Sequence, residues 1–294
     1  MLGFAIAVVI FLMKKNKLVY IAGPTCSGKT NLSIVLADIL NTEIISCDSR
    51  QIYKEISIGT AKPCENDLKK NKHHFINHIS IHDNYNVGIY YKQSIKTLES
   101  IFKSRETAIL VGGSGLYADS VINGIDNFPK IKDSVKQRID LLLKKEGMKK
   151  LNSMLKKYDP EYYRVVDKNN TRRVVRALEV CLSTGKTFVS FFKKDRRNNL
   201  FESKILLMNP NRDELYNKIN SRVDKMISLG LENEAKQLFK YKNLNSLQTF
   251  GYKEFFNYFE GKCNYKDTIE EIKKILGDMP KDRLHGTKNI KMHF

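Results

Sequence analysis

The sequence predicts an α/β protein whose parallel β-sheet core is interrupted by an inserted all-helical domain. Apolar, β-rich stretches alternate with amphipathic helical stretches up to residue 123, which is typical of a doubly wound parallel sheet. Strand patterns then disappear between residues 124 and 200 and return at KILLMNP, residues 204–210. A long helical stretch is predicted after it, from residue 212 to 241. We therefore expect a core made of residues 13–123 and 201–276, with residues 124–200 as the insertion.

The first strand is predicted at KLVYIAG, residues 17–23, and it leads directly into GPTCSGKT, residues 23–30. That segment matches the phosphate-loop pattern G-x-x-x-x-G-K-[ST], and the apolar spacing of the following residues predicts a helix. The order of strand, loop and helix indicates a P-loop NTPase-like core that binds a polyphosphate through backbone N–H groups. The expected phosphate-binding residues are Gly23, Pro24, Thr25, Cys26, Ser27, Gly28, Lys29 and Thr30. Lys29 supplies a positive charge, and Thr30 is placed to ligate Mg²⁺, the one cofactor expected.

Two further strands are predicted at TEIISCDS, residues 42–49, and TAILVGGSG, residues 107–115, with an amphipathic helix between them at residues 87–104. Parallel strands place their carboxyl ends at one edge, so Asp48 and Gly112–Gly115 should share a crevice with the phosphate loop. AILVGG ends without the acidic residue with which NTP hydrolases commonly hold magnesium. Asp48 is thus available for acid–base chemistry, although an Asp after a strand also commonly serves as a turn or N-cap residue.

Positive charge is concentrated in the insertion. The chain has a formal net charge of +19, and residues 124–200 hold 20 Lys and Arg against 9 Asp and Glu, a net of +11. A Lys-rich composition alone would raise the charge of the whole chain, but this concentration favours a nucleic-acid surface. A helix places Arg172, Arg173 and Arg176 on one side, where they form either phosphate contacts or an ordinary solvated basic face.

Cysteine and histidine patterns exclude several kinds of site. The five cysteines contain no C-x-x-C pair, so they predict neither a disulfide framework nor a zinc site and suit a reducing cytoplasm. The histidines at 73, 74, 78 and 82 lie in a loop-like region without a metal-binding pattern, and no catalytic role is assigned to them.

An apolar run at residues 2–13 is shorter than the roughly 20 residues needed to span a bilayer. We expect residues 1–12 to be a spurious or disordered extension before a true start at Met13, with no stable membrane association. A short membrane-associating segment is the alternative.

Several blocks of the sequence, in order, resemble those of the tRNA dimethylallyltransferases, also called tRNA isopentenyltransferases. The blocks are GPTCSGKT, ISCDSRQIYKEISIGTAKP, LVGGSGLY, NNTRRVVRALEVCLSTGKT, RVDKMISLGL and GYKEF, and the similarity covers residues 17–274. The resemblance implies transfer of a dimethylallyl group from dimethylallyl diphosphate to N6 of adenine 37 in tRNA. It implies that Asp48 is the general base, that Thr25 contacts the reacting end, and that Lys29 and Arg222 bind the diphosphate.

By the same resemblance, the partner is the tRNA anticodon stem-loop, and the protein is expected to be a cytoplasmic monomer. The implied tRNA-contacting residues are Asp48, Ser49, Arg50, Gln51, Ser114, Lys136, Arg172, Arg173, Val174, Val175, Arg176, Gln248, Thr249, Phe250, Gly251, Tyr252 and Lys253. Ser114 stands where many relatives have Thr, and Lys136 stands where they have Arg, which loses the bidentate guanidinium.

The C-terminal tail departs from the family pattern. Relatives continue with a basic segment of the type K-R-Q-x-x-W, whereas residues 277–294 are atypical and the chain contains no Trp. Back-translating residues 276–288 and shifting the frame gives RRYAKRQIAWYK, so we expect that a frameshift replaced this segment.

Three alternatives remain open from the residues alone. The chain could be a phosphate-loop kinase, a prenyltransferase acting on free adenine nucleotides, or a catalytically silent RNA-binding remnant. The large basic insertion favours a macromolecular acceptor over the second of these.

Overall fold

The computed structural model describes residues 16–192 and 200–278. The expectations for residues 1–12 and for the tail beyond residue 278 concern residues outside those ranges. The chain divides into two compact units, one containing residues 125–197 and the other the rest of the chain.

A five-stranded, all-parallel sheet forms the centre of the larger unit, as the alternating pattern predicted. Its strands are β1 (Lys17–Ala22), β2 (Ile44–Ser46), β3 (His73–His74), β4 (Thr107–Val111) and β5 (Glu202–Leu207), in the spatial order β3-β2-β4-β1-β5. β1 lies between β4 and β5, with Val19 opposite both Ile109 and Lys204. The carboxyl ends of β1, β2 and β4 therefore meet at one edge.

Eleven α-helices are present among the described residues. In chain order they are α1 (Lys29–Ile39), α2 (Glu65–Lys70), α3 (Val87–Ile101), α4 (Gly115–Asn123), α5 (Asp133–Tyr158), α6 (Pro160–Val165), α7 (Thr171–Thr184), α8 (Arg212–Ser228), α9 (Leu231–Leu238), α10 (Tyr252–Phe259) and α11 (Tyr265–Gly277). None of the described helices is long and apolar enough to cross a membrane.

The sheet is buried on both faces, because every residue of β1 is buried and successive side chains point to opposite sides. Leu18 and Tyr20 pack into the larger apolar cluster, whereas Val19 and Ile21 pack against α1 in a second cluster. A strand held from both sides gives the loop that follows it a rigid base.

The smaller unit has its own apolar core. Ile139 and Leu151 of α5 and Val174 and Leu178 of α7 are fully buried in it. α5 is interrupted at Gly147, whose φ of 67° ends one helical segment and begins another.

The structure corrects two secondary-structure expectations. The long helical stretch predicted from residue 212 to 241 is two helices, α8 and α9, because Gly230 between them has a φ of 94°. α2 and β3 occur where the sequence showed only a loop-like region around the histidines.

Candidate functional site

A cavity of about 680 Å³ lies at the carboxyl edge of the sheet. Its lining contains the phosphate loop (residues 23–30), the segment after β2 (residues 48–51), the turn after β4 (residues 112–114) and residues of α8. The predicted crevice therefore exists. Its size is that of an ordinary small-molecule site.

Lys29 begins α1, and its side chain folds back over the phosphate loop. Its Nζ donates hydrogen bonds to the backbone oxygens of Gly23 at 2.9 Å and Pro24 at 2.6 Å. Burial lowers the pKa of Lys29 to about 8, the negative charge of Asp48 opposes that shift, and the positive charge of Arg222 adds to it. An anion bound here would favour the protonated ammonium.

Arg222, on α8, brings a second positive charge to the loop. Its Nη1 donates to Thr25 Oγ1 at 3.3 Å, while its buried Nε finds no partner among the described residues. Ser27 Oγ is likewise buried and unpartnered within the described part of the chain. Two cations and unused hydrogen-bonding groups in one place are the features of an anion site.

Asp48 follows β2 and faces the same cavity. Its Oδ1 accepts hydrogen bonds from the backbone N–H groups of Arg50 at 2.8 Å and Gln51 at 3.2 Å, which fixes the carboxylate orientation. No described residue donates to Oδ2, the oxygen nearest Gly113, so this oxygen remains free to accept a proton. Asp48 thus combines the turn role that its position allowed with a second oxygen that no described residue binds.

Two of the residues expected to contact tRNA brace the cavity wall. The Ser114 hydroxyl accepts from the Ser49 backbone N–H at 2.9 Å and donates to the Ser49 hydroxyl at 2.8 Å. These bonds join the segment after β2 to the turn after β4.

Arg50 also binds protein groups. Its guanidinium donates to the backbone oxygens of Asn245 and Ser246, both at 2.9 Å, and of Gln248 at 3.2 Å. Arg50 therefore has an internal role in this structure: it joins the segment after β2 (residues 48–51) to residues 245–248.

Other expected tRNA contacts differ in exposure. Val174 and Tyr252 are fully buried in this structure and Gly251 is buried too, so the contact of these three residues with tRNA stays a prediction. The remaining members are exposed or half-buried: Lys136, Arg172, Arg173, Val175, Arg176, Gln248, Thr249, Phe250 and Lys253. Lys136 pairs with Asp133 at 2.8 Å, and Arg176 pairs with Glu179 at 3.3 Å.

The cavity-lining residues that sequence reasoning missed include Leu215, Ile219 and His73. The two apolar residues precede Arg222 by seven and three positions on α8, a helical spacing that could have revealed them. His73 was left without a role. Its Nδ1 lies 2.8 Å from the backbone oxygen of Asn71, and burial lowers its pKa, which favours the neutral ring.

The donor atoms around the cavity limit how a metal could bind. No group of three or more His, Cys, Asp or Glu suited to a metal occurs among the described residues. Thr30 and Asp48 nevertheless both line the cavity. This set fits Mg²⁺, which usually keeps several waters and binds through one or two protein groups plus substrate phosphates.

Residues 51–276 match the family described as IPP transferase. Among curated proteins, the chain is 44% identical over 259 residues to a tRNA dimethylallyltransferase of Christiangramia forsetii, covering 88% of this chain and 86% of that protein. A tRNA dimethylallyltransferase of Flavobacterium psychrophilum is 44% identical over 265 residues, with the same coverage.

Several solved structures are similar to the chain. A tRNA isopentenylpyrophosphate transferase of Bacillus halodurans superimposes with a TM-score of 0.63 at 32% identity, covering 90% of this chain and 84% of that one. A eukaryotic dimethylallyltransferase acting on tRNA gives a TM-score of 0.76 at 29% identity, covering 90% of this chain and 67% of that one.

Proposed function

The chain belongs to the IPP transferase family, and from that membership we propose that its cavity binds dimethylallyl diphosphate and alkylates N6 of adenine 37. It is an enzyme that transfers a dimethylallyl group to tRNA, as the family and the named relatives indicate. The donor, the acceptor atom and the residue roles below are our proposals.

One observation carries the proposal: Lys29, Arg222 and Asp48 line the same cavity. Two cations at the phosphate loop suit a diphosphate, and a carboxylate with a free oxygen suits an amine that must lose a proton. A kinase can also use a carboxylate base, but β4 is followed by Gly112 and Gly113 rather than by the acidic residue that commonly holds magnesium in NTP hydrolases.

The proposed reaction joins the adenine N6 to the allylic carbon of the donor as the bond from that carbon to the diphosphate oxygen breaks. The bonding electron pair leaves with the diphosphate, whose developing charge Lys29, Arg222 and the loop N–H groups stabilise. Asp48 Oδ2 accepts the proton that N6 releases. Thr25 belongs to the phosphate loop and its hydroxyl accepts from Arg222, which supports our proposal that Thr25 contacts the reacting end of the donor.

Magnesium would be held by the Thr30 hydroxyl together with diphosphate oxygens and water. Bound there, it would add positive charge at the leaving group. Protein groups supply the remaining functions: the loop and Arg222 orient the diphosphate, and Asp48 removes the proton.

The acceptor base must leave the anticodon-loop stack to reach the cavity, as in other enzymes that modify bases. The net charge of +11 over residues 124–200 supports binding of the anticodon stem-loop through phosphates. All five cysteines are free, which supports a reducing cytoplasmic setting. We also propose that the protein acts as a monomer.

The proposed function is tested by incubating the protein with unmodified tRNA and dimethylallyl diphosphate labelled in the carbon chain, beside ATP controls. Label entering tRNA at adenine 37 is the expected result. Phosphoryl transfer from ATP without prenylation would instead indicate a kinase, and tRNA binding without either reaction would indicate an RNA-binding remnant.

Donor binding should weaken as the pH rises above about 8, because burial sets the pKa of Lys29 near that value. A bound diphosphate requires the ammonium form, so binding takes up a proton above this pH and affinity falls about tenfold per pH unit at most. Calorimetry with an unreactive thio analogue of the donor measures this affinity at each pH. In Lys29→Arg the guanidinium stays protonated over this pH range. The affinity of that variant for the analogue should therefore be independent of pH, even if it differs from the affinity of the wild type. An equally steep wild-type and variant profile would contradict the assignment.

Replacing both Arg172 and Arg173 with Ala should weaken tRNA binding at low salt by roughly tenfold or more, and flatten the plot of log affinity against log salt by one to two units. Both side chains are exposed on α7, so the fold should persist. Donor affinity serves as the internal control and should not change. An unaltered salt slope would mean that this arginine face is simply solvated.

A further inference from the structure

Glu234, on α9, is not among the residues that line the cavity, yet it binds one of its walls. Its carboxylate accepts hydrogen bonds from the backbone N–H groups of Ser57, Ile58 and Gly59, at distances from 3.0 to 3.2 Å. Successive N–H groups that converge in this way form an anion-binding concavity. Here the anion is a side chain from a helix about 175 residues later in the sequence.

Tyr252, at the start of α10, completes this arrangement. Its hydroxyl donates to Glu234 Oε1 at 2.5 Å. Burial, reinforced by the charge of Glu234, raises the pKa of Tyr252, so the hydroxyl stays protonated and remains a donor. Four donors therefore surround one carboxylate, and hydrogen bonds to a charged acceptor are stronger than neutral ones.

The Tyr252 ring also fixes how close the turn lies to α10. A Cβ at Gly59 would be 2.5 Å from the Tyr252 ring, so only a residue without a side chain allows this approach. The ring and the carboxylate thus hold residues 57–59 from two sides.

The held turn is connected to the proposed base. Gly59, Thr60 and Ala61 line the cavity. Gln51 Nε2 donates to the backbone oxygens of Thr60 at 3.1 Å and Ala61 at 3.2 Å, and the Gln51 backbone N–H donates to Asp48 Oδ1. Hydrogen bonds and the covalent segments between them thus connect Glu234 through the turn and Gln51 to Asp48.

We propose that Glu234, with Tyr252, is a positioning residue for the transfer reaction: it fixes the 57–61 turn and, through Gln51, the orientation of Asp48. Its effect on turnover rests on the proposed function, whereas its hold on the turn does not. Misplacing a catalytic group by about 1 Å can lower turnover ~100-fold, so the loss of a remote anchor should be measurable.

Glu234→Gln tests the proposal with little change in volume. One carboxylate oxygen becomes an NH₂ group that faces backbone N–H donors, so at least one of the hydrogen bonds is lost. We expect kcat to fall ~10- to 100-fold, with the KM for dimethylallyl diphosphate within about threefold of wild type, because Lys29 and Arg222 are untouched. The matched control is Glu232→Gln on the same helix, which should leave kcat unchanged.

Amide hydrogen exchange supplies a readout independent of catalysis. In Glu234→Gln, exchange should accelerate at residues 57–61 and stay unchanged in the β-sheet. An unchanged kcat, or a loss of kcat accompanied by faster exchange throughout the chain, would overturn the proposal. Wild-type protein that transfers no dimethylallyl group would reject the proposed function, while local exchange at 57–61 still tests the anchor.

Tyr252→Phe keeps the test decisive if Glu234→Gln does not fold. It retains the ring against Gly59 and removes only the hydroxyl. A fall in kcat of ~3- to 10-fold at unchanged KM is expected. A kcat equal to that of wild type would then reject the positioning role.

Discussion

Replacing Asp48 with Ala should abolish measurable dimethylallyl transfer, with kcat lowered by ~10²- to 10⁴-fold. Among the described residues that line the cavity, the variant loses the one carboxylate, which is the group proposed to accept the proton from adenine N6. Single-turnover transfer to unmodified tRNA measures the effect. Binding of tRNA, measured by filter retention, should change little, because one carboxylate contributes little to a phosphate-dominated interface.

Asp48→Asn separates the base from the turn residue. An Asn side chain can still accept from the Arg50 and Gln51 N–H groups through its oxygen, as Asp48 Oδ1 does, but it cannot serve as a base. We expect Asn to be nearly as inactive as Ala. An Asp48→Asn enzyme with wild-type turnover would show that Asp48 only shapes the turn.

Replacing Gly112 with Ala should also inactivate the enzyme. A Cβ at this position would be 2.5 Å from the backbone carbon of Cys47 and 2.6 Å from the backbone nitrogen of Asp48. Contacts this short with main chain are relieved only by moving the strand end, which should destabilise the protein by roughly 1–3 kcal/mol and displace Asp48. Thermal unfolding and the transfer assay together measure both effects.

Gly113→Ala is the matched control, one residue away. Its Cβ would be 3.4 Å from Asp48 Oδ2, at the near limit of ordinary contact, so most of the stability and activity should remain. If Gly112→Ala were as active as Gly113→Ala, the close approach of Gly112 to Asp48 would not be needed to position the base.

The position of the candidate site could be predicted because its parts follow regular patterns. β1, the phosphate loop and α1 carry a local motif, and Asp48 and Gly112 follow apolar runs whose parallel arrangement brings them together. β3 could not be predicted, since two paired residues leave no alternating pattern.

Other features that the sequence did not predict depend on contacts between residues far apart in the chain. Arg50 reaches backbone oxygens about 195 residues away, and Glu234 reaches the turn at residues 57–59, through contacts that no periodicity reveals. Matching motifs also assigned tRNA contacts to Val174 and Tyr252, whose side chains are in fact buried. A residue within a motif can be needed for packing as well as for binding.

The central claim is that the phosphate loop holds a leaving group rather than a group to be transferred. A donor labelled with ¹⁴C in the dimethylallyl chain and ³²P in the diphosphate tests this directly, in a single turnover with unmodified tRNA. We predict that ¹⁴C enters tRNA while all ³²P is released as intact diphosphate. Transfer of ³²P to any acceptor, or its release as monophosphate, would contradict the claim.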